Sequence, residues 1–146
     1  MNIGKWLMIA ILTGVAVQLW TAHQRSVFER SVLATADTNG FVAVQMPDGA
    51  PPDTALILAA LDCPSAAAKR ADAMAKRLTE MGIPNSRSNS YSVAAATREQ
   101  MPLLTRTSIV LKGEIPVIFI NGMAKANPTV EEVASEYRRD KQKTGL

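Results

Sequence analysis

Ile115-Pro116-Val117-Ile118-Phe119-Ile120-Asn121-Gly122 is the stretch whose reading decides the fold. Val117 to Ile120 is a continuous apolar run of strand length, which suits a strand covered on both faces of a sheet. Asn121-Gly122 is the strongest short hairpin signal, because a tight two-residue turn needs positive φ at both positions. Met123 to Ala126 is therefore expected to return as an antiparallel strand. Asn127-Pro128-Thr129 then starts a last helix, with Asn127 as cap and Pro128 at the first position. Glu131 and Glu132 in its first turn, and Arg138 and Arg139 in its last, suit the macrodipole. Val130, Val133, Ala134 and Tyr137 form its inner face.

Moving toward the N-terminus, Ala55 to Leu61 (ALILAAL) is a second continuous apolar run, the pattern of a central strand. It ends at Asp62-Cys63-Pro64-Ser65. Pro64 suits the first position of a helix, which makes Cys63 its cap. Ala67, Ala71, Met74, Leu78 and Met81 recur at three and four, giving one apolar stripe. Gly82 and Pro84 stop that helix. Arg87 to Val93 (RSNSYSV) is polar and reads as an edge strand. Thr97 to Gln100 matches a capping box. A helix is preferred after it, although Pro102 interrupts its start, and Ile109 and Val110 keep a strand alternative for Thr107 to Leu111. The order strand, helix, strand, helix, strand, hairpin strand, helix predicts an α/β fold. It implies a three-layer α/β/α arrangement with a mixed four-stranded sheet, whose first two strands are parallel through a right-handed crossover.

The N-terminal end has a different character. Trp6 to Trp20 (WLMIAILTGVAVQLW) carries no charge and, extended to residues 3–22, reaches spanning length, with Lys5 placed to snorkel. The two tryptophans flank it as interfacial aromatics do. A cleaved signal peptide is the competing reading, but cleavage after Ala22 puts Trp20 where a small residue is required. The expected layout is thus an anchor at 1–22, a juxtamembrane helix and linker with a short strand at 23–53, a domain at 54–140 and a tail at 141–146. His23 to Ala34 extends the helix, Asp37-Thr38-Asn39-Gly40 is a turn, and Phe41 to Met46 is the short strand candidate. Single-pass insertion in a bacterial inner membrane, with the domain on the periplasmic side, is the expected localisation.

Charge and cysteine content exclude several classes. The net charge of +3 is spread along the chain, so no nucleic-acid surface is expected. Cys63 is the one cysteine and His23 the one histidine, so neither an intramolecular disulfide nor a metal centre is expected. Lys69-Arg70 and Lys76-Arg77 read as a solvated helix face.

Cys-Pro at the first helix start and Ile-Pro before a strand–Asn-Gly hairpin together resemble the glutaredoxin branch of the thioredoxin-like superfamily. Cys63-Pro64-Ser65-Ala66 stands where that family has Cys-Pro-x-Cys. Ile115 to Gly122 is similar to its Val-Pro-x-x-Phe-(Ile/Val)-(Asn/Gly)-Gly segment. The resemblance implies that Pro116 is cis and lies against the active-site cysteine. It further implies that Ile115, Pro116 and Ser65 line the substrate side of a catalytic Cys63. Ala66 replaces the second cysteine, and Asp62 replaces the lysine that usually precedes the motif. Lys125-Ala126-Asn127-Pro128-Thr129 stands where the family receives the γ-glutamyl end of glutathione, so no cofactor is expected.

Two functions follow from different classes. One is a membrane-anchored monothiol thiol-disulfide oxidoreductase or thiol-binding protein. Helix-start N–H groups of Ser65 and Ala66 and the Ser65 hydroxyl would favour the Cys63 thiolate, while Asp62 would oppose it. The other is a non-redox interaction or scaffold module of a bacterial envelope assembly, such as a secretion or conjugation apparatus. In both, a protein partner meets the Cys63/Pro116 face.

Overall fold

In the computed structural model, residues 3–93 and 97–144 are described, without the side chains of 3–10, 143 and 144. The chain divides into two units, Met1–Ala34 and Thr35–Leu146.

The second unit runs β1 (Val42–Ala43), β2 (Ala55–Leu58), helix Ala66–Glu80, β3 (Asn85–Ser88), a 3-10 turn (Arg98–Gln100), helix Met101–Leu111, β4 (Val117–Ile120), β5 (Met123–Ala126) and helix Val130–Thr144. These helices are α2, α3 and α4. The helix of the first unit, α1, spans Ile3–Leu33.

The fold of the second unit is α/β with a mixed sheet in the order β1-β5-β4-β2-β3. The β4–β5 hairpin pairs Val117 with Ala126 and Ile120 with Met123. Asn121 (φ 44°) and Gly122 (φ 83°) supply the two positive φ angles of its turn. β2 lies antiparallel to β4, with Leu58 opposite Val117. β3 is parallel to β2. The sheet has five strands rather than the expected four. Val42 and Ala43, within the short strand expected at Phe41 to Met46 but placed ahead of the domain, pair with Ala124 and Met123 and take the hydrogen-bonding edge of β5. The ladder continues where the Val44 N–H donates to the Gly122 carbonyl at 2.8 Å.

Alternation along the strands divides the core between the two sheet faces. Ala55, Ile57, Ile118 and Ile120 pack with Ala71, Met74 and Leu78 of α2 and Val133 and Ala134 of α4. Leu56, Val117 and Phe119 point the other way. On that side α3 contacts β1 and β5, and Tyr91 stacks on Phe119 at 5.6 Å between centroids. Thr107 is buried in α3. Its hydroxyl donates to the Leu103 carbonyl at 2.9 Å and accepts from the Gln45 N–H at 3.1 Å.

Helix boundaries differ from the sequence reading in informative ways. α2 is capped by Ser65, not Cys63, because the Ser65 oxygen accepts from the Ala68 N–H at 3.2 Å. At its other end Gly82 takes φ 71°, and the Ile83 N–H turns back to the Leu78 carbonyl at 2.9 Å. Pro102 falls in the first turn of α3, where its missing N–H removes no helical bond. α4 is capped by Thr129 rather than Asn127. Glu132 N–H donates to the Thr129 hydroxyl and Thr129 N–H to the Glu132 carboxylate, a reciprocal box. α4 also absorbs part of the stretch expected as a tail.

A buried ion cluster fastens the 37–41 turn to α4. Asp37 Oδ1 accepts from the N–H groups of Asn39 and Phe41 at 2.8 and 2.9 Å. The Arg139 guanidinium bridges Asp37 and Glu136, whose side chains are 11% and 3% exposed. Asn39 Nδ2 donates to Glu136 Oε2 at 3.1 Å. Burial pushes Asp37 up, but the Phe41 N–H, the shared proton with Glu136, the Asn39 N–H and Arg139 outweigh it, and the net direction is down. Burial pushes Glu136 up, and the neighbouring Asp37 adds to it against the pull of Asn39 and Arg139.

The signs of the two shifts are opposite. Asp37, depressed, contributes stability that is lost as pH falls through its folded value. Glu136, raised, contributes stability that is lost as pH rises from the ordinary glutamate value through its folded one. Glu136→Gln is therefore expected to flatten the fall in stability on the neutral side, measured as urea midpoints across pH. An unchanged pH slope would contradict this.

α1 is continuous through the expected anchor at 3–22 and the juxtamembrane stretch after it. Among the described residues no helix is long and apolar enough to cross a membrane. The described side chains of α1 begin at Ile11, and Gln18, Thr21, His23, Gln24 and Arg25 follow within fifteen positions. The expectation of a spanning helix thus rests partly on side chains outside the described ones.

Candidate functional site

The loops after β2 and before β4 emerge at one end of the sheet, because these antiparallel strands pair Leu58 with Val117. The first loop carries Cys63 and the second carries Ile115 and Pro116. Cys63 is exposed. Asp62 before it is in the left-handed region at φ 49°, and the Ile115–Pro116 peptide is cis. Pro116 is buried, whereas Ile115 is 44% exposed and Leu61 42% exposed.

Ser65 is the residue that acts on the thiol. Its hydroxyl oxygen accepts from the Ala68 N–H, which leaves the hydroxyl proton for Cys63. The hydrogen bond from that hydroxyl, then the one from the Ser65 N–H, lowers the Cys63 pKa against a smaller opposing effect of desolvation. Asp62 does not reverse this direction. Cys63 stands two positions before the helix cap at Ser65, so local hydrogen bonds carry the effect more than the helix dipole. At neutral pH a lowered value enlarges the thiolate fraction, which is the nucleophilic form.

Two arginines hold these loops, Arg70, expected on a solvated helix face, and Arg87, expected at the start of an edge strand. Arg70 of α2 donates to the Ile115 carbonyl at 2.7 Å and to Glu114 Oε1 at 2.8 Å. Arg87 of β3 donates to the Ala60 carbonyl at 3.0 Å and pairs with Asp72 of α2. The first therefore ties α2 to the loop before Pro116, and the second ties α2 and β3 to the loop before Cys63. No local signal marks either role, because Arg70 and Ile115 lie 45 positions apart. The Arg70–Glu114 pair is exposed at both ends, so its effect is geometric rather than a large stabilisation.

The segment after the hairpin is engaged in structure. Asn127 N–H donates to the Pro116 carbonyl at 2.7 Å. Lys125 donates to the Asn39 carbonyl at 2.8 Å and pairs with Glu132 at 2.7 Å. Among the described residues no group of three or more His, Cys, Asp or Glu side chains is placed to hold a metal.

Fold and site together define an α/β domain with one accessible, hydrogen-bonded thiol at the end of the sheet where a cis-proline loop also emerges. No protein-family model matches the chain. No curated protein and no solved structure matches it either.

Proposed function

We propose that the chain is a membrane-anchored, thioredoxin-like protein of glutaredoxin type in which Cys63 acts as a monothiol nucleophile. The observation that carries this is the exposed Cys63 thiol, shifted toward thiolate by Ser65. The helix pair α2 and α4 on one sheet face, α3 on the other, and cis-Pro116 at the same sheet end as Cys63 support the three-layer resemblance. The anchor is supported by α1 itself. Ile11, Leu12, Val15, Val17, Leu19 and Trp20 are each more than half exposed, and at 3.6 residues per turn they cover about two thirds of the helix circumference, with Gly14, Gln18 and Thr21 on the rest. An exposed apolar arc that broad suits an apolar surrounding better than one packed face.

The chemistry is a balanced exchange. The Cys63 thiolate attacks one sulfur of a partner disulfide, forming a mixed disulfide while the other sulfur leaves as thiolate. Ala66 cannot resolve that intermediate, so a thiol from a second molecule attacks it, returns Cys63 as thiolate and takes over the partner sulfur in a new disulfide.

The rate of Cys63 alkylation by iodoacetamide against pH tests this. The expected midpoint lies below that of an ordinary cysteine and moves up toward it in Ser65→Ala. A midpoint at the ordinary value would sink the redox reading and leave the interaction module, in which Cys63→Ser keeps full function.

A further inference from the structure

A second feature lies on α4, away from the thiol in chain position and chemistry. The 37–40 turn and α4 line an open cleft of about 340 Å³ formed by Thr38, Asn39, Ser135, Arg138, Arg139 and Gln142. All six are polar and none is a carboxylate. We propose that this cleft binds a phosphate-type oxyanion.

The lining divides into a fixed back and an open front. Asn39 and Arg139 form the back. Asn39 is held by Glu136, by the Asp37 carboxylate on its N–H and by Lys125 on its carbonyl. Arg139 is held between Asp37 and Glu136. The Asp37 and Glu136 carboxylates are thereby turned to Arg139 and to the turn, and their side chains are largely buried. Thr38, Ser135, Arg138 and Gln142 form the front. Among the described residues none of these four side chains has a hydrogen-bond or ion-pair partner. They bring two hydroxyls, a carboxamide and a guanidinium, and the net charge of the front is that of Arg138.

Such a set is rich in donors and carries positive charge, which selects an acceptor-rich anion. A guanidinium fork with flanking hydroxyls matches the several oxygens of a phosphate better than a single point charge does. The volume falls at the lower end of small-molecule clefts, so the phosphate can belong to an ester rather than a free ion. Two sources share that chemistry, a soluble phosphate ester and a lipid headgroup.

The test is an NMR titration of the full chain in neutral detergent. The probes are inorganic phosphate, short-chain phosphatidylglycerol and, as control, short-chain phosphatidylcholine. The expected result is a saturable shift of the Thr38 and Arg138 signals and the Gln142 side-chain amide. Affinity should fall about ten-fold in Arg138→Gln, the equivalent of one lost charge-assisted contact. Arg138 is exposed, and unchanged signals elsewhere in α4 show that the variant is folded. Tighter binding of the anionic lipid than of inorganic phosphate assigns the site to headgroups. Binding of inorganic phosphate without that gain assigns it to soluble esters. No saturable shift with either probe, or the same affinity in Arg138→Gln, overturns the proposal.

Discussion

Phe119→Ala is expected to destabilise the second unit by about 3–5 kcal/mol, the range for truncating a buried phenylalanine. A domain of this size has roughly 5–15 kcal/mol in total, so much of the population unfolds at modest denaturant. Phe119 is fully buried in β4, near the middle of the sheet. Its backbone neighbours are Leu56 on β2 and Ala124 on β5. Tyr91 lies over it, and the Tyr91 hydroxyl donates to the Gln45 carbonyl. Alanine leaves a cavity on the α3 face and removes the ring that Tyr91 stacks on, so the 86–92 segment should loosen together with the core. Urea unfolding by circular dichroism reads the first effect, and the Tyr91 ring signals in NMR read the second. A loss below about 1 kcal/mol would mean that the site collapses around alanine and that this ring is not central to the core.

Gly113→Ala is the second large effect, and nothing in the local sequence announces it. A Cβ on Gly113 would overlap the Ala126 Cβ and stand 3.0 Å from the Val110 carbonyl oxygen. Ala126 belongs to β5 and Val110 to the last turn of α3, so neither yields as a flexible side-chain tip would. Overpacking of this kind costs about 1–3 kcal/mol. Ala126→Gly removes the obstructing methyl, and the double variant is expected to recover a clear part of the loss. Residues in contact couple in this way, so a double-mutant cycle under urea is the measurement. Additive effects would show that the overlap is relieved elsewhere. Gly113 also leads directly into Glu114 and Ile115, so the alanine variant should alter Cys63 alkylation if the two loops are mechanically linked.

The parts of the fold legible in the sequence are those set by neighbouring residues. The β4–β5 hairpin follows from four apolar residues and Asn121-Gly122, both of which act locally. The polar character of β3 announced an edge, although the strand begins at Asn85 rather than Arg87. β1 was legible as a short strand within Phe41 to Met46 but not as part of the sheet, because its partners Ala124 and Met123 lie far along the chain. Asn127 reads as a helix cap by residue type. Instead it adopts φ 45° with its N–H on the Pro116 carbonyl, a contact eleven positions away. Cys63 was raised as the candidate nucleophile by Cys-Pro and the Ile115 to Gly122 segment together. Which group acts on it was only half visible. Ser65 was among the expected donors, but its role as the cap depends on a competition that a serine oxygen wins over a thiol. Arg70 and Arg87 stayed hidden because their acceptors are backbone carbonyls, which every residue carries.

The short pairing of β1 with β5 has a consequence for how copies of this chain can meet. An open sheet can add strands of other copies at either edge, and here the edges are β1 and β3. β1 covers the longer β5 and leaves an edge of only two residues, too short to template an extended ladder with another copy. Pairing at the other edge would have to bring the Asn-Ser-Arg-Ser strands together, with Arg87 already committed to Asp72 and Ala60. Val42 and Ala43 thus shorten the edge that β5 would otherwise offer to a neighbouring copy.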